Sequence, residues 1–332
     1  MKLVDNFGRT IDSLRVSVTD RCNFHCSYCM PKENITWIPP QEILSFEELD
    51  RLIKLLVPLG IMKYKITGGE PLLRRDLHTF LKMLHDIDGV NDVSLTTNGY
   101  FLDSQARFLK DAGLKRITVS LDSLREDRFN SLVQRDIFRK IYNNLMLIME
   151  MNFSPVKINT VVIRDINDDE IVDYIRFAQE TGIIVRFIEY MPFEAAGKWT
   201  QKKVVPHHEI RAIIKRHFAV EPSQTAVEAA AHGTPATRYR LSDGSAEFGI
   251  ISSISSPFCS SCGRIRLTAE GKLRTCLFSD NETDIKLLLR SGAEDSEIVD
   301  IIRSAVQQRV EGHDLREGAV HGPSRPMSRI GG

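Results

Sequence analysis

Residues 64–71 read Tyr64-Lys65-Ile66-Thr67-Gly68-Gly69-Glu70-Pro71, a short apolar run that ends in a hydroxyl, two glycines, a carboxylate and a proline. The first half fits a buried strand, and the second half is a turn ahead of a helix. The pattern recurs downstream, where Thr96-Thr97-Asn98-Gly99 and Ser120-Leu121-Asp122-Ser123 also close β-branched runs with polar groups. Strands are expected at 14–19, 64–67, 92–96, 116–121, 157–162 and 184–189, with amphipathic stretches such as 46–59, 77–87 and 171–180 between them. Ser45 with Glu48, and Asn167 with Glu170, read as capping boxes, while Gly60, Gly113 and Gly182 fall where helices stop. Strand–helix alternation at this spacing predicts a parallel sheet with crossover helices. Six units suit an incomplete (βα)6 barrel of the TIM type as well as a doubly wound sheet. The polar strand ends favour the barrel, since barrel enzymes place their sites there.

After Pro192 the pattern changes. One helix at about 208–217 precedes a Ser/Ala/Gly-rich stretch and a second group of cysteines. The expected division is a partial barrel over 1–192 and a C-terminal region over 193–332 that closes its open side. Residues 312–332, rich in Gly, Pro and charge, read as a flexible tail on composition.

Lys plus Arg and Asp plus Glu each total 44, so the chain lacks the net basic charge of a nonspecific nucleic-acid binder. No apolar segment is long enough to span a bilayer, and Met1-Lys2-Leu3-Val4-Asp5-Asn6 lacks the apolar core of a secretory signal. The expectation is a cytoplasmic chain, without membrane or nucleic-acid partners, in a reducing compartment where cysteines serve as ligands or catalysts. No P-loop, dinucleotide fingerprint or zinc-protease helix is present in the sequence.

All six cysteines fall into two triplets: Cys22, Cys26 and Cys29 at x3 and x2 spacing, then Cys259, Cys262 and Cys276 at x2 and x13. A closed structural zinc site wants four ligands, whereas a four-iron cluster on three cysteines keeps one iron open. Zinc on the second triplet with a histidine such as His232 stays open as an alternative; for the first triplet, His25 sits awkwardly beside Cys26. Arg15, Lys65, Lys157 and Arg186 interrupt runs that otherwise read as buried strand. A cation inside a parallel barrel is costly unless paired, and few carboxylates share these strands. Either a bound anion such as a triphosphate partners them, or they snorkel to the surface.

Asp20-Arg21-Cys22-Asn23-Phe24-His25-Cys26-Ser27-Tyr28-Cys29-Met30-Pro31 resembles the cysteine loop of radical S-adenosylmethionine (SAM) enzymes, and Thr67-Gly68-Gly69-Glu70-Pro71 resembles their SAM-binding strand end. The second triplet, Arg264-Ile265-Arg266 and the terminal Gly331-Gly332 resemble, within that superfamily, the GTP-cyclising family of molybdenum cofactor biosynthesis. The resemblance runs over nearly the whole chain. It implies a lyase with two [4Fe-4S] clusters on the six cysteines, with SAM chelated to the open iron of the first and cleaved to a 5′-deoxyadenosyl radical. That radical takes hydrogen from ribose C3′ of GTP, and C3′ attacks guanine C8 to give (8S)-3′,8-cyclo-7,8-dihydroguanosine 5′-triphosphate.

By position, the resemblance implies Tyr28, Gly69, Ser120 and Met191 for SAM. For GTP it implies Arg15, Lys63, Lys65, Thr96, Lys157, Arg186, Arg264 and Arg266, with Gly331 and Gly332 catalytic and entering the site. It further implies an electron donor of the flavodoxin or ferredoxin kind and hand-off of product to cyclic pyranopterin monophosphate synthase. A homodimer stays open. Two positions depart from the family pattern: Lys65 replaces an arginine, turning a forked phosphate contact into a point charge, and His25 stands where arginine is frequent. The rival functions are a peptide-modifying radical SAM enzyme with an auxiliary cluster and a non-enzymatic iron–sulfur electron carrier. The Arg264-Ile265-Arg266 segment and the glycine tail speak against the first, and the polar strand ends against the second.

Overall fold

The structure, a computed structural model, describes residues 2–30, 36–193, 199–223, 235–313 and 322–332. Six strands pair in chain order and all in parallel: β1 (Ser13–Ser17), β2 (Lys63–Thr67), β3 (Asp92–Thr97), β4 (Arg116–Ser120), β5 (Val156–Val162) and β6 (Ile184–Glu189). The connections carry α1 (Phe46–Leu56), α2 (Leu77–His85), α3 (Leu102–Asp111), the pair α4 (Glu126–Val133) and α5 (Phe138–Glu150), and α6 (Ile171–Thr181).

These elements form where their residues favour them. At the start of α1, Ser45 Oγ accepts from the Glu48 amide and the Glu48 side chain accepts from the Ser45 amide, as the capping box requires. Leu49, Leu52, Ile53 and Leu56 then share its buried face, each contributing about 2 kcal/mol. Gly60, Gly113 and Gly182 all take left-handed backbone at or just past helix ends. The second expected box does not form. Asn167 instead accepts from the Ile163 amide and donates to the Asp122 and Val161 carbonyls, while Glu170 accepts from Ser123 Oγ and the Leu124 amide. The Asn167 Oδ1 is taken by the Ile163 amide four residues upstream and the Glu170 carboxylate by the turn at Ser123 and Leu124, so neither is free to close the cap.

The second half supplies α7 (His207–Lys215), β7 (Val220–Pro222), β8 (Thr237–Leu241), β9 (Glu247–Ile251), β10 (Arg264–Leu267), β11 (Lys272–Arg274), β12 (Thr283–Asp284), α8 (Ile285–Ser291), α9 (Asp295–Gln307) and α10 (Met327–Ile330). β9 pairs in parallel with β6 and is followed by antiparallel β8 and β7. β10 pairs in parallel with β1 and is followed by antiparallel β11 and β12. Both edges of the six-stranded core are thus covered, and among the described residues the outermost strands β12 and β7 do not join. The result is the expected incomplete barrel, an open sheet extended on both sides by the C-terminal half. Among the described residues no helix is long and apolar enough to cross a membrane.

Strand alternation explains the odd cations. Leu14 and Val16, Tyr64 and Ile66, Val93 and Leu95, and Val185 and Phe187 form the buried apolar set. The alternate positions, Arg15, Lys65, Ser94, Lys157 and Arg186, turn to the opposite face of the sheet and line cavities there.

Candidate active site

The Gly68-Gly69 pair is required by the cysteine loop. The Gly69 amide donates to Thr19 O at 2.7 Å and the Glu70 amide to Arg21 O at 2.7 Å. A Cβ on Gly69 would lie 2.3 Å from Arg21 O, and one on Gly68 2.7 Å from Thr19 O, so only glycine allows this approach. Behind it, the buried Glu70 carboxylate accepts from Thr97 Oγ1 at 2.6 Å, the Asn98 amide at 2.6 Å and the Leu72 amide at 3.0 Å. Burial outweighs these bonds and raises the Glu70 carboxyl to about 7. Asn98 Nδ2 donates to Asn23 Oδ1 at 2.8 Å, tying the end of β3 to the cysteine loop. From the other side, the Gln134 side chain donates to His25 O and Arg135 Nη1 to Asn23 O.

Above this platform lies a cavity of about 290 Å³. All six cysteines line it, three from the loop after β1 and three from the region around β10 and β11. Tyr28, Gly69, Ser120 and Met191 line it as well, as do Thr96, Arg15, Lys65, Arg186, Arg264, Arg266 and Gly332. The Tyr28 hydroxyl donates to Asp122, whose other oxygen accepts from the Val161 amide at 2.8 Å; burial nonetheless raises Asp122 to about 6. A second cavity of about 400 Å³ shares Arg15, Lys65, Arg186 and Arg264 with the first and adds Lys63, Lys157, Arg116 and Arg238.

Register stacks these cations. Arg266 of β10, Arg15 of β1 and Lys65 of β2 are direct neighbours across three strands, and Asn159 of β5 faces Arg186 of β6. Burial first, and then mutual repulsion, drives Arg15 and Lys65 well below their ordinary values and brings Lys157 to about 7, Arg266 to about 9 and Arg186 to about 10. Among the described residues none of Arg15, Lys65, Lys157, Arg186, Arg264 and Arg266 makes an ion pair, whereas the peripheral Lys63 pairs with Asp12 at 2.6 Å. Several polar atoms around the cavity are buried without a partner: Thr96 Oγ1, Asn159 Oδ1, Arg186 Nε and Arg264 Nε. Unpaired buried cations and orphaned polar atoms in one chamber are the signature of a site built for a polar anion.

The cysteine chemistry fits iron–sulfur groups. Burial raises Cys26 and pushes Cys22 and Cys29 up to about 12, so their thiolates need a cationic partner such as iron. For Cys262 burial acts upward, but the Arg264 and Arg309 charges outweigh it and hold the thiol near 6, ready to ligate. Among the described residues no three His, Cys, Asp or Glu side chains converge as a set for a single metal ion. His232, the alternative fourth zinc ligand, lies outside the described residues.

The C-terminal segment departs from the flexible tail that its composition predicts. Over 322–332 it docks against the barrel: Ile330 is fully buried and Arg266 Nη1 donates to Gly331 O at 2.6 Å. Gly331 has φ +89°, and a Cβ there would meet Ser17 Cβ at 2.9 Å and Thr67 Oγ1 at 3.0 Å. Glu70, Asn98, Asp122 and Asn159 complete the site but were not among the expected site residues. Glu70, Asn98 and Asp122 stand in the polar strand ends that marked the fold, which is the signal for them.

Residues 16–178 match the family described as Radical SAM superfamily, and residues 183–315 match Molybdenum Cofactor Synthesis C. A GTP 3′,8-cyclase of Streptomyces coelicolor is 41% identical over 99% of this chain and 96% of its own length. One of Moorella thermoacetica is 40% identical over 99% of both chains. Among solved structures, Streptococcus suis SuiB bound to S-adenosylmethionine aligns over 89% of this chain and 69% of its own, with a TM-score of 0.60 and 15% identity, a likeness of fold. With full-length relatives at this identity, and a cavity that gathers both cysteine triplets and a layer of cations, the chain belongs to the GTP 3′,8-cyclase family of the radical SAM superfamily.

Proposed function

We propose that this chain converts GTP to (8S)-3′,8-cyclo-7,8-dihydroguanosine 5′-triphosphate, the first step of molybdenum cofactor biosynthesis. The observation that carries the reading is the joint chamber: two thiol triplets face one cavity that continues into a layer of cations, of which Arg15, Lys65, Lys157 and Arg186 make no ion pair among the described residues. Cys22, Cys26 and Cys29 would hold a [4Fe-4S] cluster with an open iron, and Cys259, Cys262 and Cys276 a second. When bound, the first cluster and SAM supply the carbon radical that starts the reaction.

The chain's own groups do the positioning. Tyr28, fixed by Asp122, and Gly69, Ser120 and Met191 seat SAM beside the first triplet. Arg15, Lys65, Lys157 and Arg186 draw in the triphosphate, with Lys63 at the rim of the second cavity. Arg264 and Arg266 hold the base near the second triplet, and Thr96 Oγ1 has an unused hydrogen-bonding site for the substrate. Arg266 also grips Gly331, so the glycine pair brings backbone rather than side chain to the reacting nucleotide. The same reading includes the division at residue 192, a cytoplasmic location, a small electron-donor protein, hand-off to cyclic pyranopterin monophosphate synthase, and a homodimer as an assembly to be measured.

Anaerobic incubation of reconstituted protein with SAM, dithionite and GTP, followed by mass spectrometry, tests the reading. The expected products are 5′-deoxyadenosine and a cyclised isomer of GTP. Formation of 5′-deoxyadenosine with GTP untouched would leave the first triplet standing and reject the substrate.

A further inference from the structure

The loop carrying Cys259 and Cys262 is held by residues from both ends of the chain. Arg9 Nη1 donates to Cys259 O at 2.8 Å and to Glu311 O at 2.7 Å, and its Nη2 donates to Val310 O at 2.8 Å. Arg309 Nη1 donates to Cys262 O at 2.6 Å, and Nη2 reaches Cys262 Sγ at 3.0 Å. Asp5 joins the two guanidiniums, accepting from Arg9 Nε at 2.6 Å and from Arg309 Nη1 at 3.4 Å, and all three side chains are nearly inaccessible to solvent. Two of the three second-triplet cysteines are therefore fixed through their carbonyls, and one of them also through its sulfur. The clamp carries one carboxylate against two guanidiniums, an excess of one positive charge.

We propose that Arg309, locked by Asp5 and Arg9, is a positioning residue for the iron–sulfur group of the second triplet, and that it sets the potential of that group through the N–H donated to Cys262 Sγ. The proposal rests on the second cluster assigned above. A hydrogen bond and a net positive charge at a ligand sulfur stabilise the electron-rich, reduced form and so raise the reduction potential. A clamp spanning residues 5, 9 and 309 also makes the loop geometry depend on the whole chain being folded. No nearby acidic side chain other than Asp5 is described on the Arg309 guanidinium.

The test uses the full chain with Cys22, Cys26 and Cys29 replaced by alanine, so that only the second triplet can bind iron. Arg309→Gln and Arg309→Lys are compared with this parent after anaerobic reconstitution, by iron content, by redox titration followed by electron paramagnetic resonance, and by melting of the iron-free protein. R309Q is expected to retain its iron and to favour the oxidised form by about tenfold, 59 mV lower for a one-electron couple. R309K, which keeps the charge, is expected to recover part of that shift. Iron lost from both variants at an unchanged melting temperature also supports the clamp, since it shows that the guanidinium fork is needed to hold the group. An unchanged potential in an iron-loaded R309Q overturns the proposal, as does iron loss accompanied by a lower melting temperature, which makes Arg309 a structural residue. A parent that binds no iron rejects the second cluster itself, a failure distinct from that of Arg309.

Discussion

Lys157 illustrates how a single buried charge reports on the substrate. Burial, followed by the Arg186, Arg238 and Arg116 charges, lowers its ammonium to about 7. A bound triphosphate would reverse that repulsion and raise the value again. The sign follows: below pH 7 the lysine is already charged and binding takes up no proton. Above pH 7 binding must first charge it, so GTP affinity should fall by up to about tenfold per pH unit from there. Calorimetric titration of the protein with GTP across pH 6.5 to 9 checks this, and Lys157→Met should flatten that part of the profile. For stability the same shift runs the other way. The unfolded lysine holds its proton from about pH 7 up to its ordinary value, so this residue's penalty on the nucleotide-free fold fades as pH rises through that window. At Gly69, an alanine would press its Cβ against the Arg21 carbonyl, which neighbouring backbone holds in place. Gly69→Ala should therefore lose iron from the first triplet with little change at the second, as iron analysis of reconstituted protein would show.

The C-terminal element behaves unlike its composition. α10 and the two residues after it pack into the barrel because Ile330 is buried, Arg266 holds the Gly331 carbonyl, and Gly331 alone fits against Ser17 and Thr67. Deleting Gly331 and Gly332 should abolish product, by mass spectrometry, while leaving the iron content of both triplets unchanged. Elements with strong local signals were legible beforehand: α1 with its capping box, α6 ending at Gly182, and the six parallel strands. Their information lies within a few residues of chain. The loss of the Asn167–Glu170 box was not legible, because Asn167 Oδ1 goes to a competing local amide and Glu170 to a turn 46 residues away. Nor was the docked tail, because Arg266, Ser17 and Thr67 that hold it are far off in the chain. The Asp5–Arg9–Arg309 clamp is the extreme case. Its two arginines look like any of the 44 cations of the chain until the fold brings the termini together.

The architecture makes the two halves mutually dependent. β1 and β6 would be bare edges of a six-stranded sheet without β10 and β9. Residues 1–192 expressed alone should therefore self-associate, which size-exclusion chromatography would register, since unpaired edges recruit other chains. The site divides in the same way. One half brings the first cysteine triplet and most of the cation layer, and the other brings the second triplet with Arg264 and Arg266. The cysteine spacing made both thiol groups legible, and the strand cations stood out as charges in apolar runs; that all of them surround one chamber needed the fold. That chamber also has a bearing on choice among metabolites. On the proposed assignment its positive layer would answer to phosphate, and a cell offers the same triphosphate on adenine, cytosine and uracil. Attraction alone cannot tell these apart, so ATP should enter and compete with GTP for occupancy. Discrimination then falls to the few uncharged groups with unspent hydrogen-bonding capacity, Thr96 Oγ1 and Asn159 Oδ1, and to what the second triplet presents to the base.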